Sequence, residues 1–587
     1  MNIGLNREKI KNRSILFSIF IFFWITGILF RLVQLQIVHH SRLKARVISQ
    51  TEDKIPVRPK RGAIYDRNGS ILAKSLPVYS VFYSAYQDEG WETQWKRVSQ
   101  LIEILSIPSY KALDIQDRVK QKKTFTWIKR KIDQETAEKV KNLNLKGVFL
   151  KEEKKRFYPH GQLSAQVLGM VNIDEKGIIG LEYEYNSLLA GENGEAIILK
   201  DAHRREFREE TLKSPVPGKD LILSLDETVQ YIAEKELERQ MKESQASWGT
   251  VVISFPGTGE ILAMANYPTC DLNQVNNHQL PLIQRNIAAH YTFAPGSTFK
   301  IISFAAALES RAVAETETFD CSQGFVQIEG TSKRIRDHHR FGILTFPEVL
   351  INSSNVGTVN VAYRTGSESI FKTIKAFGFG QKTGIDFPGE ESGILHPFRS
   401  WSKTSLPSLS IGYEISVTAI QLLKAINIIA NKGVEIPLRL IKEAEFLSVK
   451  NNLLPHQEKR IISSETAEKI TGYLIQVVEQ GTGKEARLKG YLIAGKTGTA
   501  QKFNRELGQY SSSAHLACFV GFIISKKPLL SIMVVIDEPK GLYYGGQVAA
   551  PLFKRIAEQV LLYLQVHPQP PARQTLITAM NKGEIDP

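Results

Sequence analysis

A long apolar stretch near the N-terminus constrains the fold of this chain more than any other feature of its sequence. Residues 15–38 are mostly apolar, interrupted by one charged side chain, Arg31, and by a few uncharged polar ones. Such a stretch exceeds the ~20 residues that a helix needs to cross the hydrocarbon core of a bilayer. Backbone groups inside a bilayer must bond to each other, so the stretch is expected to be a helix. No small-x-small cleavage site follows it, which favours an uncleaved anchor over a cleaved signal peptide or a buried core helix.

Basic residues flank this stretch on both sides. Those before it favour a cytoplasmic N-terminal tail, residues 1–14, whereas those after it weaken the argument for that orientation. The two groups are Arg7, Lys9, Lys11 and Arg13 before the stretch, and Arg42, Lys44 and Arg46 after it. The whole chain carries a formal net charge of +15. No nucleic-acid-binding motif accompanies the scattered basic residues, so a membrane face or an anionic wall polymer fits the charge better than nucleic acid.

Three short polar clusters follow in the order typical of serine acyl-transfer enzymes. They are Ser297-Thr298-Phe299-Lys300, Ser353-Ser354-Asn355 and Lys496-Thr497-Gly498-Thr499. Ser297 and Lys300 lie three residues apart, which places them on one face of a helical turn, where the amine can take the proton of the hydroxyl. Pro295-Gly296 precedes the turn and an apolar run follows it, so Ser297 is expected at the N-terminus of a buried helix. Any one cluster occurs by chance, but the ordered set is that of penicillin-binding proteins and serine β-lactamases.

Acyl transfer from an amide gives each of these residues a candidate catalytic role. Ser297 would be the nucleophile and Lys300 its base, while Ser353 would carry the proton onward to the leaving amine. Asn355 would fix Lys300 and hydrogen-bond the substrate peptide. Lys496 would add a second positive charge, which lowers the pKa of Lys300 and attracts a substrate carboxylate.

The third cluster lies in a segment, residues 491–500, that is predicted to be a strand lined with small residues. An extended peptide could pair along the edge of such a strand. The substrate-binding candidates are Thr497, Gly498 and Thr499, with the two threonine hydroxyls on the carboxylate. The backbone N–H groups of Ser297 and Thr499 are the candidate oxyanion hole.

The chain resembles the class B penicillin-binding proteins over residues 61–553. Beyond the three clusters, the resemblance is carried by six further motifs. They are Arg61-Gly62-Ala63-Ile64-Tyr65-Asp66-Arg67-Asn68-Gly69, Arg156-Phe157-Tyr158-Pro159, Gly180-Leu181-Glu182, Thr258-Gly259-Glu260-Ile261-Leu262-Ala263-Met264, Gly481-Thr482-Gly483-Lys484 and Gly545-Gly546-Gln547-Val548-Ala549-Ala550-Pro551. Glu414 departs from the pattern, because similar enzymes often carry glycine there.

The resemblance implies a D,D-transpeptidase that cross-links stem peptides of peptidoglycan, built from lipid II-derived glycan strands, and that is acylated by β-lactams. It implies no cofactor and no metal, a place in the bacterial inner membrane with the catalytic domain outside the cytoplasm, and partners of two kinds, a SEDS-type glycosyltransferase and division-complex membrane proteins. The segment Ser410-Ile411-Gly412-Tyr413, followed by Val417-Thr418, is more similar to the septal than to the elongation type. An elongation-type enzyme, a β-lactam receptor or scaffold, and a serine β-lactamase are the alternatives.

The resemblance also implies an α+β fold class and an order of domains. Residues 41–217 are expected to form an elongated α+β pedestal of the dimerisation type, in which charged stretches such as 116–141 are helical. Residues 218–565 are expected to form the catalytic domain, an antiparallel sheet with helices on its faces, similar to serine β-lactamases and closed by a last helix over 551–564. Residues 566–587, polar and containing proline, are predicted to be a disordered tail.

Two residue groups of types that metal or disulfide sites use carry little weight here. The chain has only three cysteines, Cys270, Cys321 and Cys518, too few and too far apart for a secreted disulfide framework, and buried free thiols are expected. The pair His338-His339 beside Asp337 lacks partners at metal-ligand spacing, so a polar loop is expected there.

Overall fold

Helices and strands are interleaved along the chain, which confirms the predicted α+β class. The computed structural model describes residues 4–123, 125–200, 206–276, 278–442, 458–504, 509–524 and 528–568. The α-helices are α1 Gly4–Val33, α2 His40–Thr51, α3 Trp91–Ile104, α4 Ser109–Lys120, α5 Gln134–Asn142, α6 Ala165–Leu168, α7 Gly180–Glu184, α8 Asn186–Ala190, α9 Glu227–Ser244, α10 Leu280–Gln284, α11 Ile287–His290, α12 Lys300–Glu309, α13 Phe346–Ile351, α14 Asn355–Thr365, α15 Ser367–Ala376, α16 Ser405–Ser410, α17 Ala419–Ala430, α18 Ser464–Glu479 and α19 Gly545–Tyr563.

The strands range from two-residue pairs to the long strands Ile71–Tyr83, Leu492–Asn504 and Gln509–Ile524. They are β1 Glu52–Val57, β2 Ile64–Tyr65, β3 Ile71–Tyr83, β4 Thr126–Ile132, β5 Val148–Phe157, β6 Gly194–Lys200, β7 Glu206–Lys213, β8 Leu221–Ile222, β9 Trp248–Ser254, β10 Ile261–Tyr267, β11 Thr318–Asp320, β12 Phe325–Gln327, β13 Arg334–Arg336, β14 Ile343–Thr345, β15 Ile394–Leu395, β16 Ile415–Ser416, β17 Val434–Glu435, β18 Lys459–Arg460, β19 Leu492–Asn504, β20 Gln509–Ile524 and β21 Pro528–Asp537.

The predicted membrane-spanning stretch is helical throughout, as α1 followed by the single π turn Gln34–Val38. Within the described part of the chain, Lys9–Val38 is the one segment long and apolar enough to cross a membrane, and its most apolar 18 residues have a mean hydropathy of 2.3. Its most apolar part is not covered by other parts of the protein. An uncovered helix that is apolar all round suits a bilayer, which argues against a buried core helix.

The described residues fall into two compact units. One lies within residues 1–61 and 190–219 and contains α1, α2 and an antiparallel sheet with β6 between β1 and β7. The other lies within residues 62–189 and 220–587. These units divide the chain differently from the boundaries expected at 41–217 and 218–565, which stay predictions. Most of the predicted disordered tail, residues 569–587, lies outside the described residues.

The charged stretch 116–141 is not one helix, so that prediction is wrong. Helix α4 ends at Lys120, and β4 then pairs antiparallel with β3 before α5 begins. Three side chains of β4, those of Thr126, Ile128 and Ile132, are buried. They lie between charged residues that hide the strand pattern, and their packing and strand pairing outweigh the helix preference of their neighbours.

A buried ion pair holds three of the family motifs together inside the second unit. Arg156 Nε donates to Glu182 Oε1 at 2.6 Å, and Arg156 Nη1 donates to the Gly62 carbonyl at 2.7 Å. Both charged side chains are at most 1% exposed. Gly180, beside this pair, has φ of +63°, and a Cβ there would meet the Val167 carbonyl at 2.7 Å. The motifs therefore have a packing role.

Replacing Glu182 with glutamine is expected to lower the free energy of unfolding by about 3–5 kcal/mol, because it leaves the Arg156 charge buried without its partner. The matched control is Glu184→Gln on the same helix, whose exposed side chain predicts a change within about 0.5 kcal/mol. Thermal and urea unfolding of both variants measure the difference. Equal stability of Glu182→Gln and the wild type would show that the pair is not needed.

A five-stranded sheet in the second unit confirms the antiparallel arrangement predicted for the catalytic domain. Its strand order is β10-β9-β21-β20-β19, and all neighbours are antiparallel. Side chains alternate between the two faces, so Val252 and Met533 join the core on one side while Val251 and Ile532 join the core on the other. Helices α12, α17 and α18 contribute to the first core, and α9 and α19 to the second. The sheet is thus covered by helices on both faces, with β19 as an edge strand.

The last helix begins six residues earlier than predicted, at Gly545 rather than at Pro551. Proline normally marks a helix start, and that preference misplaced the boundary. In the structure Pro551 lies inside α19. The actual start is fixed by packing, since a Cβ on Gly545 would meet the Gly498 carbonyl at 2.3 Å. Helix α19 therefore begins directly against the strand that carries the third cluster.

Candidate active site

The first cluster forms a tight turn that leads into a buried helix, as predicted. Gly296–Phe299 is a 3₁₀ turn and α12 continues it from Lys300. Gly296 has φ of +53°, and a Cβ there would meet the Thr499 carbonyl at 2.9 Å, so glycine is what lets the turn lie against β19. Ser297 is partly exposed, whereas Lys300 is completely buried.

Lys300 is held by the second cluster. Its Nζ donates to the Ser353 carbonyl at 2.6 Å and to Asn355 Oδ1 at 2.8 Å, and Ser353 Oγ lies 3.4 Å away. The described residues show no hydrogen bond between Lys300 and Ser297. The predicted contact of Asn355 with Lys300 is therefore present.

Lys496 also contacts the Ser353 hydroxyl. Its Nζ donates to Ser353 Oγ at 2.9 Å and to the Thr497 carbonyl at 3.2 Å, and its side chain is completely buried. Strand β19 brings Lys496 into the sheet beside the turn that carries Ser297. Ser353 Oγ therefore lies between two lysine amines.

Both amines are poor cations in this environment. Burial, followed by the nearby charge of Lys496, holds the pKa of Lys300 well below its usual value. Burial also lowers the pKa of Lys496 to about 7. Low polarity around an ammonium disfavours the charged form. The site thus favours the uncharged form of the Lys300 amine.

The pKa of Lys496 has a consequence for stability. Between its pKa of about 7 in the folded protein and ~10.4 in the unfolded chain, the unfolded state binds more protons, so this residue makes stability rise with pH. We expect the free energy of unfolding of Lys496→Met to exceed that of the wild type by about 1–4 kcal/mol at pH 7. This difference between the two proteins is expected to become smaller towards pH 10. Urea unfolding at both pH values measures it. A gap that widens with pH would contradict the lowered pKa.

The second cluster has a strained backbone at its first residue. Ser353 has φ of +60°, in the left-handed region that non-glycine residues rarely occupy. Ser354 then caps α14, accepting the Gly357 N–H at 2.9 Å. Asn355 Nδ2 donates to the Arg336 carbonyl at 2.7 Å, which leaves its Oδ1 directed at Lys300. Such strain is common at functional sites, where the surroundings hold it in place.

Asp337 contacts this cluster and was missed as a site residue. Its Oδ2 accepts the Ser354 hydroxyl at 2.8 Å, and its Oδ1 accepts the N–H groups of Asn355 and Val356, the latter at 3.1 Å. The sequence offered one weak signal, an acidic residue in a polar loop beside two histidines. Among the described residues, no group of three or more metal-ligating side chains includes this loop.

The predicted substrate-binding residues lie in the middle of β19. The hydroxyls of Thr497 and Thr482 lie 2.7 Å apart, and Thr499 Oγ1 accepts the Gly545 N–H at 2.9 Å. A Cβ on Gly498 would meet Cys518 Sγ at 2.4 Å, so only glycine fits there. All three cysteines are buried free thiols, as expected, and burial raises the pKa of Cys518 to about 12.

Glu414 lies on a segment that contacts the same strand. The hydroxyl of its neighbour Tyr413 accepts the Gln501 N–H at 3.3 Å. Glu414 has φ of +56°, a conformation that favours glycine, which is the residue that similar enzymes often carry there. Its carboxylate accepts the Thr404 hydroxyl at 3.2 Å.

We expect Glu414→Gly to raise the free energy of unfolding by about 1 kcal/mol, because the left-handed strain of a side chain outweighs one partly buried hydrogen bond. Glu414→Gln, which keeps the strain, is the control and is expected to leave stability unchanged. Urea unfolding of the two variants measures this, and a less stable glycine variant would contradict it.

Comparisons with known proteins agree with this geometry. Residues 249–558 match the family model of the penicillin-binding protein transpeptidase domain, and residues 56–223 match that of the penicillin-binding protein dimerisation domain. The first matched range contains all three clusters.

Individual relatives cover nearly the whole chain. Stage V sporulation protein D of Bacillus subtilis is 35% identical, over 94% of this chain and 86% of its own length. The peptidoglycan D,D-transpeptidase FtsI of Buchnera aphidicola subsp. Schizaphis graminum is 33% identical, over 93% and 94% respectively. The crystal structure of Mycobacterium penicillin-binding protein 3 with aztreonam covers 88% of this chain and 99% of its own, with a TM-score of 0.67 and 27% identity. On its domains, its relatives and its fold, the chain belongs to the class B penicillin-binding proteins and is a serine-type peptidoglycan D,D-transpeptidase.

Proposed function

We propose that Ser297 attacks the D-Ala-D-Ala bond of a stem peptide, and that the acyl group then passes to an amine of a neighbouring stem. The observation that carries this proposal is the buried chain of Lys300, Ser353 and Lys496, hydrogen-bonded beside a partly exposed serine. A neutral Lys300 has two N–H donors, which match its two short bonds to Ser353 and Asn355. Its lone pair is then free to accept a proton.

Acylation couples bond formation at Ser297 to the transfer of its proton. Ser297 Oγ forms a bond to the carbonyl carbon while its proton moves to Lys300 Nζ, and the carbonyl electrons move to the oxygen. The N–H groups of Ser297 and Thr499 are proposed to bind that oxyanion. When the C–N bond breaks, Ser353 Oγ delivers a proton to the departing D-Ala amine, and its own proton is replaced from Lys300 or Lys496. Deacylation by the acceptor amine reverses these transfers.

The edge of β19 is proposed to hold the donor peptide. An edge strand has unpaired backbone groups that an extended peptide can use. Thr497 and Thr499 would donate their hydroxyl protons to the terminal carboxylate, near the charge that Lys496 carries when protonated. Asn355 would hydrogen-bond the peptide from the opposite side of the cleft.

Transfer rather than hydrolysis is supported by the sequence between Ser353 and Lys496, which contains no Glu-x-x-Leu-Asn segment to hold a hydrolytic water. A β-lactam, whose amide carbonyl Ser297 would attack in the same way, would therefore leave a long-lived acyl-enzyme. Rapid turnover of penicillin would instead favour a β-lactamase.

We further propose a septal role, with a SEDS-type glycosyltransferase and division-complex membrane proteins as partners. The motif segment 410–413 and the relative named FtsI support the septal over the elongation type. The apolar helix would anchor the protein with its N-terminus in the cytoplasm, since peptidoglycan lies outside.

Labelling with a fluorescent penicillin tests the proposal. The full chain, purified in detergent, is expected to take up one label, which peptide mapping places on Ser297. With a pentapeptide donor and an amine acceptor, it is expected to release D-Ala and form the transfer product. A label on another residue would overturn the assignment. Labelling of Ser297 without any transfer product would favour a β-lactam receptor.

A further inference from the structure

The carboxylate of Asp337 makes more contacts with the second cluster than a loop residue needs. It accepts hydrogen bonds from Ser354, Asn355 and Val356, three successive residues at the start of α14. Its own N–H donates to the Gly324 carbonyl at 3.0 Å, which ties it to the hairpin of β12 and β13. The carboxylate is thus held on a rigid element and is aimed at the cluster.

Asp337 holds Asn355, which also holds Lys300, and it holds Ser354, the residue that follows Ser353. Every acceptor of Lys300 among the described residues belongs to Ser353 or Asn355. Ser353 is strained, so its position depends on the segment that follows it. The backbone carbonyl of Arg336, next to Asp337, accepts a hydrogen bond from Asn355 Nδ2 at 2.7 Å.

We propose that Asp337 is a positioning residue for the base: it holds Asn355 directly and Ser353 through its neighbour Ser354, so that the Lys300 amine stays next to the Ser297 turn. This inference rests on the proposed function, since it gives Lys300 the role of base. Asp337 does not contact the nucleophile itself. Its role is exerted through the second cluster.

The charge of Asp337 adds a second effect, which makes the proposal testable. Asp337 is the one carboxylate that raises the pKa of Lys300, against burial and Lys496, which lower it. The charged or titratable groups near Lys300 are Lys496 on β19, Asp337, and His338, whose pKa burial and both lysines lower. No ion pair of Asp337 occurs in the described parts of the chain, so its charge is not already neutralised by an arginine or lysine.

The test compares Asp337→Asn, which keeps the shape and loses the charge, with Asp337→Glu, which keeps the charge. Acylation of the full chain by fluorescent penicillin is measured from pH 5 to pH 10. Asp337→Asn is expected to acylate about 10²-fold more slowly, as misplaced catalytic groups do. The acid limb of its profile, where Lys300 becomes protonated, is expected to move to lower pH. Asp337→Glu is expected to keep the acid limb where the wild type has it, even if its rate falls.

Asp320→Asn is the matched control. Asp320 also caps a backbone N–H, that of Ser322 at 2.9 Å, but its exposed side chain does not touch the second cluster. It is expected to acylate like the wild type. Thermal unfolding of each variant separates a loss of fold from a loss of positioning.

A merely structural cap would lower rate and stability together and would leave the acid limb in place. The inference is overturned if Asp337→Asn keeps both the wild-type acylation rate and the wild-type position of the acid limb of the pH profile. It is also overturned if Asp337→Glu moves the acid limb as far as Asp337→Asn does. Wild-type labelling at Ser297 together with either outcome leaves the proposed function intact. Absence of wild-type labelling at Ser297 overturns both.

Discussion

Ser297→Ala is expected to abolish acylation by penicillin and to reduce peptide transfer by about 10⁶-fold, the order observed when a serine enzyme loses its nucleophile. The side chain of Ser297 is partly exposed at the start of a turn, so the change removes one oxygen without opening a cavity in the core. The fold is expected to survive, with a free energy of unfolding within about 0.5 kcal/mol of the wild type.

The measurement combines gel fluorescence after penicillin labelling with thermal unfolding of the same samples. Ser322→Ala, at an exposed serine outside the three clusters, is the control and is expected to label fully. Persistent label in a folded Ser297→Ala protein would show that the nucleophile is a different residue.

Lys300→Met is expected to slow acylation by about 10²–10⁴-fold, the usual contribution of a general base. Methionine approximates the length of lysine, so the completely buried site stays filled while the amine is lost. Because burial holds the pKa of Lys300 well below its usual value, the neutral amine is favoured, and the wild-type rate is expected to fall as acid protonates it.

The lowered pKa of Lys300 determines how the acylation rate changes with pH. In the wild type, acylation is expected to rise with pH through the lowered pKa of Lys300, and in Lys300→Met this limb should disappear. Stopped-flow labelling across pH measures both features. Lys372→Met, at an exposed lysine on α15, is the control. If Lys300→Met acylates at the wild-type rate, Lys300 is not the base.

Local sequence was sufficient wherever the decisive interactions lie within a few residues. The apolar stretch 15–38 specifies a helix because its own backbone must satisfy its hydrogen bonds. Ser297 and Lys300 share a turn because helical spacing places them there. The strand around Lys496 and the antiparallel catalytic sheet were likewise predictable, since apolar runs separated by turns are typical of sheet strands.

Predictions failed where distant residues outweigh local preference. Charged neighbours concealed β4, whose pairing with β3 overrides the helical tendency of the stretch 116–141. The start of α19 moved to Gly545 because backbone groups of β19 and β20 approach too closely for any side chain. Proline alone therefore gave the wrong boundary.

By itself, the sequence determined the membrane-compatible helix, the family and the order of the three clusters, because each is encoded in short stretches of residue types. Only the tertiary structure decided how far the pKa of Lys300 falls, because burial and the charge of Lys496 come from segments remote in the chain. It also brought Ser353 between two amines and Asp337 against the second cluster. Hydrogen bonds between distant segments depend on packing, and no local pattern in the sequence records them.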